Sequence, residues 1–361
     1  MDTLRVGIIG VGWGALVQAP AFQAVQGFEL VALCARRQAT VSAAAEQLGV
    51  ATTCTDWREL VDRDDVDLVS VATPVETHHE ITLAALRAGK HVLCEKPLAS
   101  TADQARELVH AAEATDRRTA TCFETRWLPE RLAVRDLVTD GVVGQPYSVR
   151  LHQSAGYWHP TRPLQSLWMY DASAGGGYLA GMLVHDIDYV CSLFGEPAAV
   201  CADIRTSVPV RELPDGGSLQ VTADDTAALL LRLDSGALAV LTVSVVGVHV
   251  PASLRVDVFG SDGTVLMSKA ARGQGAVTAG RATDDGLIER PVVARSADGL
   301  GEAQVRRAGG MINCMALMLE EWRPAFDGAT TRVPTFRDGL RAQRVVDAAR
   351  ASAAGAGWVT F

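Results

Sequence analysis

The sequence predicts an α/β N-terminal domain on a parallel sheet, followed by an α+β C-terminal domain with a large, mostly antiparallel, open-faced sheet. Three observations carry this: a glycine turn directly after the first apolar strand, regular strand and helix alternation after it, and a later run of consecutive strands joined by short turns. A chain of 361 residues is too long for one compact core and suits two domains, 1–124 and 125–361.

Residues 5–9 are a short β-branched apolar run, followed by Gly10-Val11-Gly12-Trp13-Gly14-Ala15 and a helical pattern through Phe22. That is the G-x-G-x-x-A spacing of a dinucleotide-binding turn. Glycines there let the backbone turn sharply and approach a pyrophosphate, while the helix start offers free N–H groups to it. Strands are then expected at 28–34, 66–72, 91–95 and 119–123, with helices at 40–48, 81–88 and 102–114. Such alternation implies a Rossmann-type parallel sheet covered on both faces. Where NAD-preferring sites place an acid for the ribose hydroxyl, this chain has Ala35-Arg36-Arg37. Two cations and no acceptor suit a 2′-phosphate, so NADP is the expected cofactor, with NAD as the alternative. The bland reading is that the arginines open the next helix in solvent.

The run from His91 to Pro97 delivers Lys96 to the end of an apolar strand, where open α/β sheets present groups to ligands. Lys96 is therefore the first candidate for chemistry, against the plainer reading of an exposed lysine before a strand-stopping proline.

With 48% hydrophobic residues, 21% charged residues and a net charge of −9, nucleic acid and anionic membrane are not expected partners. Seven cysteines without a C-x-x-C pair argue against a disulfide framework or a bound metal and for a reducing compartment, with the cytoplasm as the default location. No apolar run reaches the roughly 18 residues of a membrane span.

In the second domain, helices are expected at 132–139, 178–194 and 336–354, and strands at 226–233, 237–246 and 254–259, with alternation beginning at 146–152. Residues 270–300 are expected to be loop or irregular strand. His185 and Asp188 share a face of the helix beginning at Tyr178, and Tyr178 and Asp188 are candidates for substrate contact. Tyr157, Trp158 and Trp168 lie among polar groups, a mixture that suits the apolar C–H face and the hydroxyls of a sugar or polyol; ordinary core is the alternative for half of these aromatics. Arg126, after the last strand of the first domain, is a further candidate for cofactor or substrate.

These residues resemble the Gfo/Idh/MocA oxidoreductases. The marks are the glycine turn, Val71-Ala72-Thr73-Pro74-Val75-Glu76-Thr77-His78, Cys94-Glu95-Lys96-Pro97, Arg126-Trp127-Leu128-Pro129, Gly175-Gly176-Gly177 with His185 and Asp188, Asp224-Asp225-Thr226, and Asp338-Gly339-Leu340-Arg341. The resemblance implies hydride transfer between a nicotinamide and a carbinol or carbonyl carbon of a small polyhydroxylated substrate. It implies that Thr73, Pro74, Glu95 and Lys96 lie along the nicotinamide half of the cofactor, that His78 lies near it or supports the turn, and that the bond before Pro97 is often cis. Lys96 and His185 are then the proton-transfer pair. It also implies that the 336–354 helix packs across both domains, and that the open sheet face forms a homodimer or a dimer of dimers. Two positions depart from the family pattern: Val75 replaces an asparagine, and Gly181 stands where the family has an aspartate four residues before the histidine. The missing aspartate keeps open a sensor that binds dinucleotide without catalysis, beside a third reading as a redox-assisted glycosidase.

Overall fold

The computed structural model describes residues 3–270 and 275–361, which fall into two compact units. One comprises the chain up to Leu128 with Arg295–Leu340; the other comprises Pro129–Ala294 with Arg341–Phe361.

In the first unit, β1 (Leu4–Ile9), β2 (Phe28–Cys34), β3 (Thr52–Cys54), β4 (Leu68–Val71), β5 (His91–Cys94) and β6 (Thr119–Thr121) form a parallel sheet in the order β3-β2-β1-β4-β5-β6. Between them run α1 (Ala19–Ala24), α2 (Gln38–Leu48), α3 (Trp57–Val61), α4 (His78–Arg87) and α5 (Ala102–Glu113). All four residues of β4 are buried, as expected of a strand covered on both faces. Chemistry at the helix ends explains where they stop and start: Gly49 ends α2 at φ 69°, and the Thr101 hydroxyl accepts the Gln104 N–H at 3.3 Å to start α5. The strand order reverses between β1 and β4, which opens the ligand crevice of doubly wound sheets at the carboxyl ends of those strands.

One local irregularity follows from sequence. Gly14–Gln18 wind as a π turn, closed by the Ala19 N–H on the Gly14 carbonyl, before α1 begins. Pro20 accounts for it, since proline has no N–H to give to Leu16 and its ring crowds that carbonyl.

The second unit starts with α6 (Pro129–Thr139) and β7 (Pro146–Ser154), continues through a π turn at Leu179–Leu183 into α7 (Val184–Phe194), and then runs into strands. These are β8 (Pro197–Arg205), the hairpin β9 (Val210–Glu212) and β10 (Ser218–Gln220), β11 (Thr226–Leu233), β12 (Leu238–Ser244), β13 (Ser253–Gly260), β14 (Gly263–Ala270), β15 (Ala276–Arg281) and β16 (Ile288–Arg290). The chain then gives α8 (Glu302–Arg306) and α9 (Met311–Trp322) to the first unit, before α10 (Phe336–Ala351) and the short β17 (Val359–Thr360). The large sheet has nine strands in the order β16-β15-β14-β13-β7-β12-β11-β8-β17. Every pairing is antiparallel except β7 with β12. β11 shows the design: Ala227, Leu229, Leu231 and Leu233 are buried while Ala228, Leu230 and Arg232 are exposed, so one face is covered and the other open. The helix α7 packs on the covered face, against β7 and β12.

The 270–300 stretch is more regular than composition suggested, because β15 pairs with β14 and β16 with β15; residues 271–274 of it lie outside the described residues. Among the described residues no helix is long and apolar enough to cross a membrane.

Candidate active site

Backbone geometry makes the candidate site of the first unit. Gly10 has φ 102°, and a Cβ there would lie 2.5 Å from the Ala72 carbonyl carbon, so only glycine lets β1 pass the end of β4 this closely. A Cβ at Gly12 would meet nothing within 4 Å, and Gly14 packs against Ile8. This division of labour, one glycine for the turn, one for close approach and one for packing, fits a dinucleotide pyrophosphate. Trp13 is exposed and Ala15 half-buried beside it. Arg36 and Arg37 follow β2 with exposed side chains, and among the described residues neither side chain has a hydrogen-bond or ion-pair partner.

The turn after β4 is pinned from below. Thr77 donates its hydroxyl to the Thr73 hydroxyl oxygen at 2.7 Å and approaches the Pro74 carbonyl at 2.8 Å. His78 is buried, with Nδ1 2.9 Å from the Pro97 carbonyl and Nε2 2.8 Å from the Thr73 carbonyl. Both ring nitrogens therefore face carbonyls of the two turns, and His78 braces one turn against the other. Burial pushes its pKa down, against the pull of those carbonyls.

Lys96 follows directly on β5, and its peptide bond to Pro97 is cis. The chain has three lysines, and the other two are structural: Lys90 Nζ donates to the Arg63 and Val66 carbonyls at 2.7 and 2.9 Å, and Lys269 is paired with Glu130 at 2.8 Å. Glu95 is buried; its Oε2 accepts the Lys96 backbone N–H at 3.1 Å and its Oε1 accepts from Gln18 at 2.9 Å. Burial pushes the Glu95 carboxyl above its usual range, against the opposing Lys96 charge and these N–H groups. Arg126 is paired with Asp338 at 3.0 Å, the same carboxylate that accepts the Thr335 N–H at 2.8 Å at the start of α10.

In the second unit a pocket of 110 Å³ is walled by Tyr157, Tyr178, Met182, Val245 and Ala252, with Gln153, Ser154, Ala155 and Ser253 completing it. Its wall is mostly apolar with a few polar groups, the composition of a small-molecule site. Tyr157 and Tyr178, both picked from sequence, line it; Trp158 does not. Trp158 is buried, its ring 4.4 Å from Tyr170 and 5.0 Å from Tyr178, with its indole N–H donated to Gln165 at 3.2 Å. It is core that backs the pocket wall. Trp168 is exposed.

His185 and Asp188 are both buried on α7. Arg341 approaches the Asp188 carboxylate at 3.6 Å and Glu196 at 2.8 Å. Asp186, fully buried, is held by Arg131 and Gln153 through separate carboxylate oxygens; burial pushes its pKa up, against Arg131. Arg131 itself lies 4.8 Å over the Tyr189 ring. A Cβ at Gly181 would meet nothing within 4 Å, so the position where the resemblance expects an aspartate has room for one.

Comparison with known proteins decides the family. Residues 4–123 match the oxidoreductase family with an NAD-binding Rossmann fold, and residues 132–266 match the GFO/IDH/MocA C-terminal domain. An oxidoreductase domain protein from Kribbella flavida superposes with a TM-score of 0.87 at 31% identity, over 100% of this chain and 99% of that one.

The chain belongs to the Gfo/Idh/MocA oxidoreductase family.

Further relatives align over most of the chain. Levoglucosan dehydrogenase of Pseudarthrobacter phenanthrenivorans is 27% identical over 99% of this chain and 98% of its own. A levoglucosan dehydrogenase structure in complex with NADH superposes with a TM-score of 0.87 at 26% identity, covering 99% of both chains. Myo-inositol 2-dehydrogenase of Thermotoga maritima is 28% identical over 73% of this chain and 75% of its own. For this Gfo/Idh/MocA oxidoreductase, sequence reasoning missed Gln18, Gln153 and Met182. A glutamine inside the apolar face of the first helix was the available signal for Gln18. For the pocket residues there was none, since strands and helix bring them together from distant positions.

Proposed function

We propose that the protein is a dehydrogenase that oxidises a carbinol carbon of a sugar, polyol or related small molecule, or reduces the matching carbonyl. The observation that carries this is the coupling of the glycine turn to Lys96: the residue that ends the π turn after Gly14 hydrogen-bonds Glu95, which in turn holds the Lys96 N–H. The dinucleotide, when bound, supplies hydride exchange at its nicotinamide. Gly10, Gly12 and Gly14 would seat its pyrophosphate, with Thr73, Pro74, Glu95 and Lys96 along its nicotinamide half. Lys96 holds the substrate oxygen and shares its proton, and His185 is the second proton-transfer group, an imidazole being suited to that work near neutral pH. Tyr157 and Tyr178 offer apolar faces to the ring C–H groups of the substrate.

NADP is the proposed cofactor, supported by Arg36 and Arg37, whose exposed side chains have no partner among the described residues. Exposed Leu230 and Leu238 on the open sheet face support a homodimer, and seven cysteines without a paired motif support a cytoplasmic setting.

The test is a panel of hexoses, inositols and anhydro sugars assayed with NAD and NADP by the near-ultraviolet absorbance of the reduced cofactor. Turnover with at least one, lost in Lys96→Ala, is the expected result. Gly181 favours the second reading, a sensor; cofactor binding without any turnover across the panel would establish it.

A further inference from the structure

We infer that Gln18 is a positioning residue for Lys96, fixing the Glu95 carboxylate so that the seat of the dinucleotide and the lysine turn are held as one unit. This rests on the reading of Lys96 as the catalytic group and adds the device that holds it in place.

Gln18 is fully buried at the last position of the π turn. Both ends of its amide are used. Oε1 accepts the Ser70 hydroxyl at 2.7 Å, while Nε2 donates to Glu95 Oε1 at 2.9 Å and lies 3.5 Å from Cys122 Sγ. The other Glu95 oxygen accepts the Lys96 N–H at 3.1 Å. The string therefore runs from β4 through the π turn to the carboxyl end of β5, and Ser70, Gln18, Glu95 and Cys122 are all buried.

An amide is the group this position needs. It must accept from a hydroxyl on one side and donate to a carboxylate on the other, at a fixed reach. Methionine would fill the volume but leave the Ser70 hydroxyl and one Glu95 oxygen without Gln18. Glutamate would set two buried carboxyls against each other. A helix face packed on a parallel sheet ordinarily carries an apolar residue, so the buried glutamine is there for its two hydrogen bonds. π turns recur at functional sites, and Gln18 is the last residue of this one. Since Glu95 holds the first N–H of the Lys96 turn, freeing Glu95 to rotate displaces Lys96 while leaving Gly10, Gly12 and Gly14 untouched.

The small number of lysines makes this directly measurable. Reductive methylation with carbon-13 formaldehyde yields a separate dimethyl-lysine NMR signal for each of Lys90, Lys96 and Lys269, with Lys96 assigned by Lys96→Arg. In Gln18→Met the Lys96 signal is expected to move by more than its linewidth, with Lys90 and Lys269 in place and NADH affinity changed by less than about three-fold. Glu95→Gln should displace the same signal, and the double variant should add nothing to the larger single effect. If Gln18→Met does not fold, Glu95→Gln and Ser70→Ala carry the same reading. An unmoved Lys96 signal in the folded variants, or equal displacement of all three lysines, overturns the inference. A displaced signal combined with full activity of Lys96→Ala leaves the network standing and refutes the catalytic reading of Lys96 instead.

Discussion

The first unit offers its candidate groups in three short runs at strand ends, at Gly10 to Gly14, Thr73 to His78, and Glu95 to Pro97. The second builds its pocket from β7, the π turn before α7, and residues 245 to 253, with no two of these elements adjacent in the chain. The first candidate site is shaped mainly by backbone conformation and the second by side chains. A backbone site is defined by conformation, so it is destroyed by any side chain where none fits. A side-chain site depends on buried ion pairs and aromatic packing that keep its walls in place, so its weak points lie behind the pocket.

The strongest way to break that comparison is to remove Arg131. Its carboxylate partner Asp186 is fully buried, so Arg131→Met leaves a charge without its counter-ion and should destabilise the second unit by about 3 to 5 kcal/mol in chemical denaturation. Arg131→Met with Asp186→Leu should recover most of the loss, because two apolar side chains carry no desolvation cost. A loss below about 1 kcal/mol in the single variant would show that the pair does not hold the α7 face.

Gly10→Ala tests the backbone site. The added methyl collides with the end of β4 at a φ that L side chains rarely adopt, and dinucleotide affinity should fall by about 100-fold, near 3 kcal/mol, read by quenching of protein fluorescence. Retention of full affinity would mean that the turn tolerates displacement from Ala72.

A smaller effect is expected at the two arginines. Arg36→Ala with Arg37→Ala should weaken NADPH by about ten-fold, near 1.4 kcal/mol, and leave NADH within about three-fold. Equal weakening of both cofactors would remove the 2′-phosphate reading.

The smallest expected effect is on acid stability. Burial pushes the Glu130 carboxyl up, but Lys269 and the Gly275 N–H more than offset that and hold it below its usual range. A depressed folded-state pKa contributes stability that is present above the unfolded value of about 4.3 and is lost as pH falls through the folded one. Melting temperature should therefore decline below about pH 4.5, and less steeply in Lys269→Met. An equal decline in both proteins would separate Glu130 from the acid transition.

The same contrast explains what sequence could reveal. The strand and glycine pattern of the first unit was legible because spacing and backbone chemistry are local, whereas β3 and α3 escaped notice because three and five residues leave no periodicity to detect. In the second unit the central strands β7, β11, β12 and β13 were legible by alternation and turn residues, but the parallel pairing of β7 with β12 was not, since its partners lie far apart in the chain. Trp158 and Tyr157 are neighbours of similar type, yet one is core and the other wall, a difference set by the direction of the loop and by nothing in their composition. His78 stands in a motif, but the Pro97 and Thr73 carbonyls that face its ring are brought there by the fold and not by sequence spacing. The pairing of Asp188 with Arg341 likewise joins residues that sequence spacing cannot connect.

The proposed function has Lys96 and His185 serving one reaction, and a mutant cycle measures that directly. Lys96→Ala and His185→Ala should each lower kcat by about 10³-fold on the preferred sugar, and the double variant should be no more than about ten-fold worse than the poorer single. A double variant whose loss equals the product of the two, or a His185→Ala protein with unchanged kcat, would show that the two groups do not act on the same substrate.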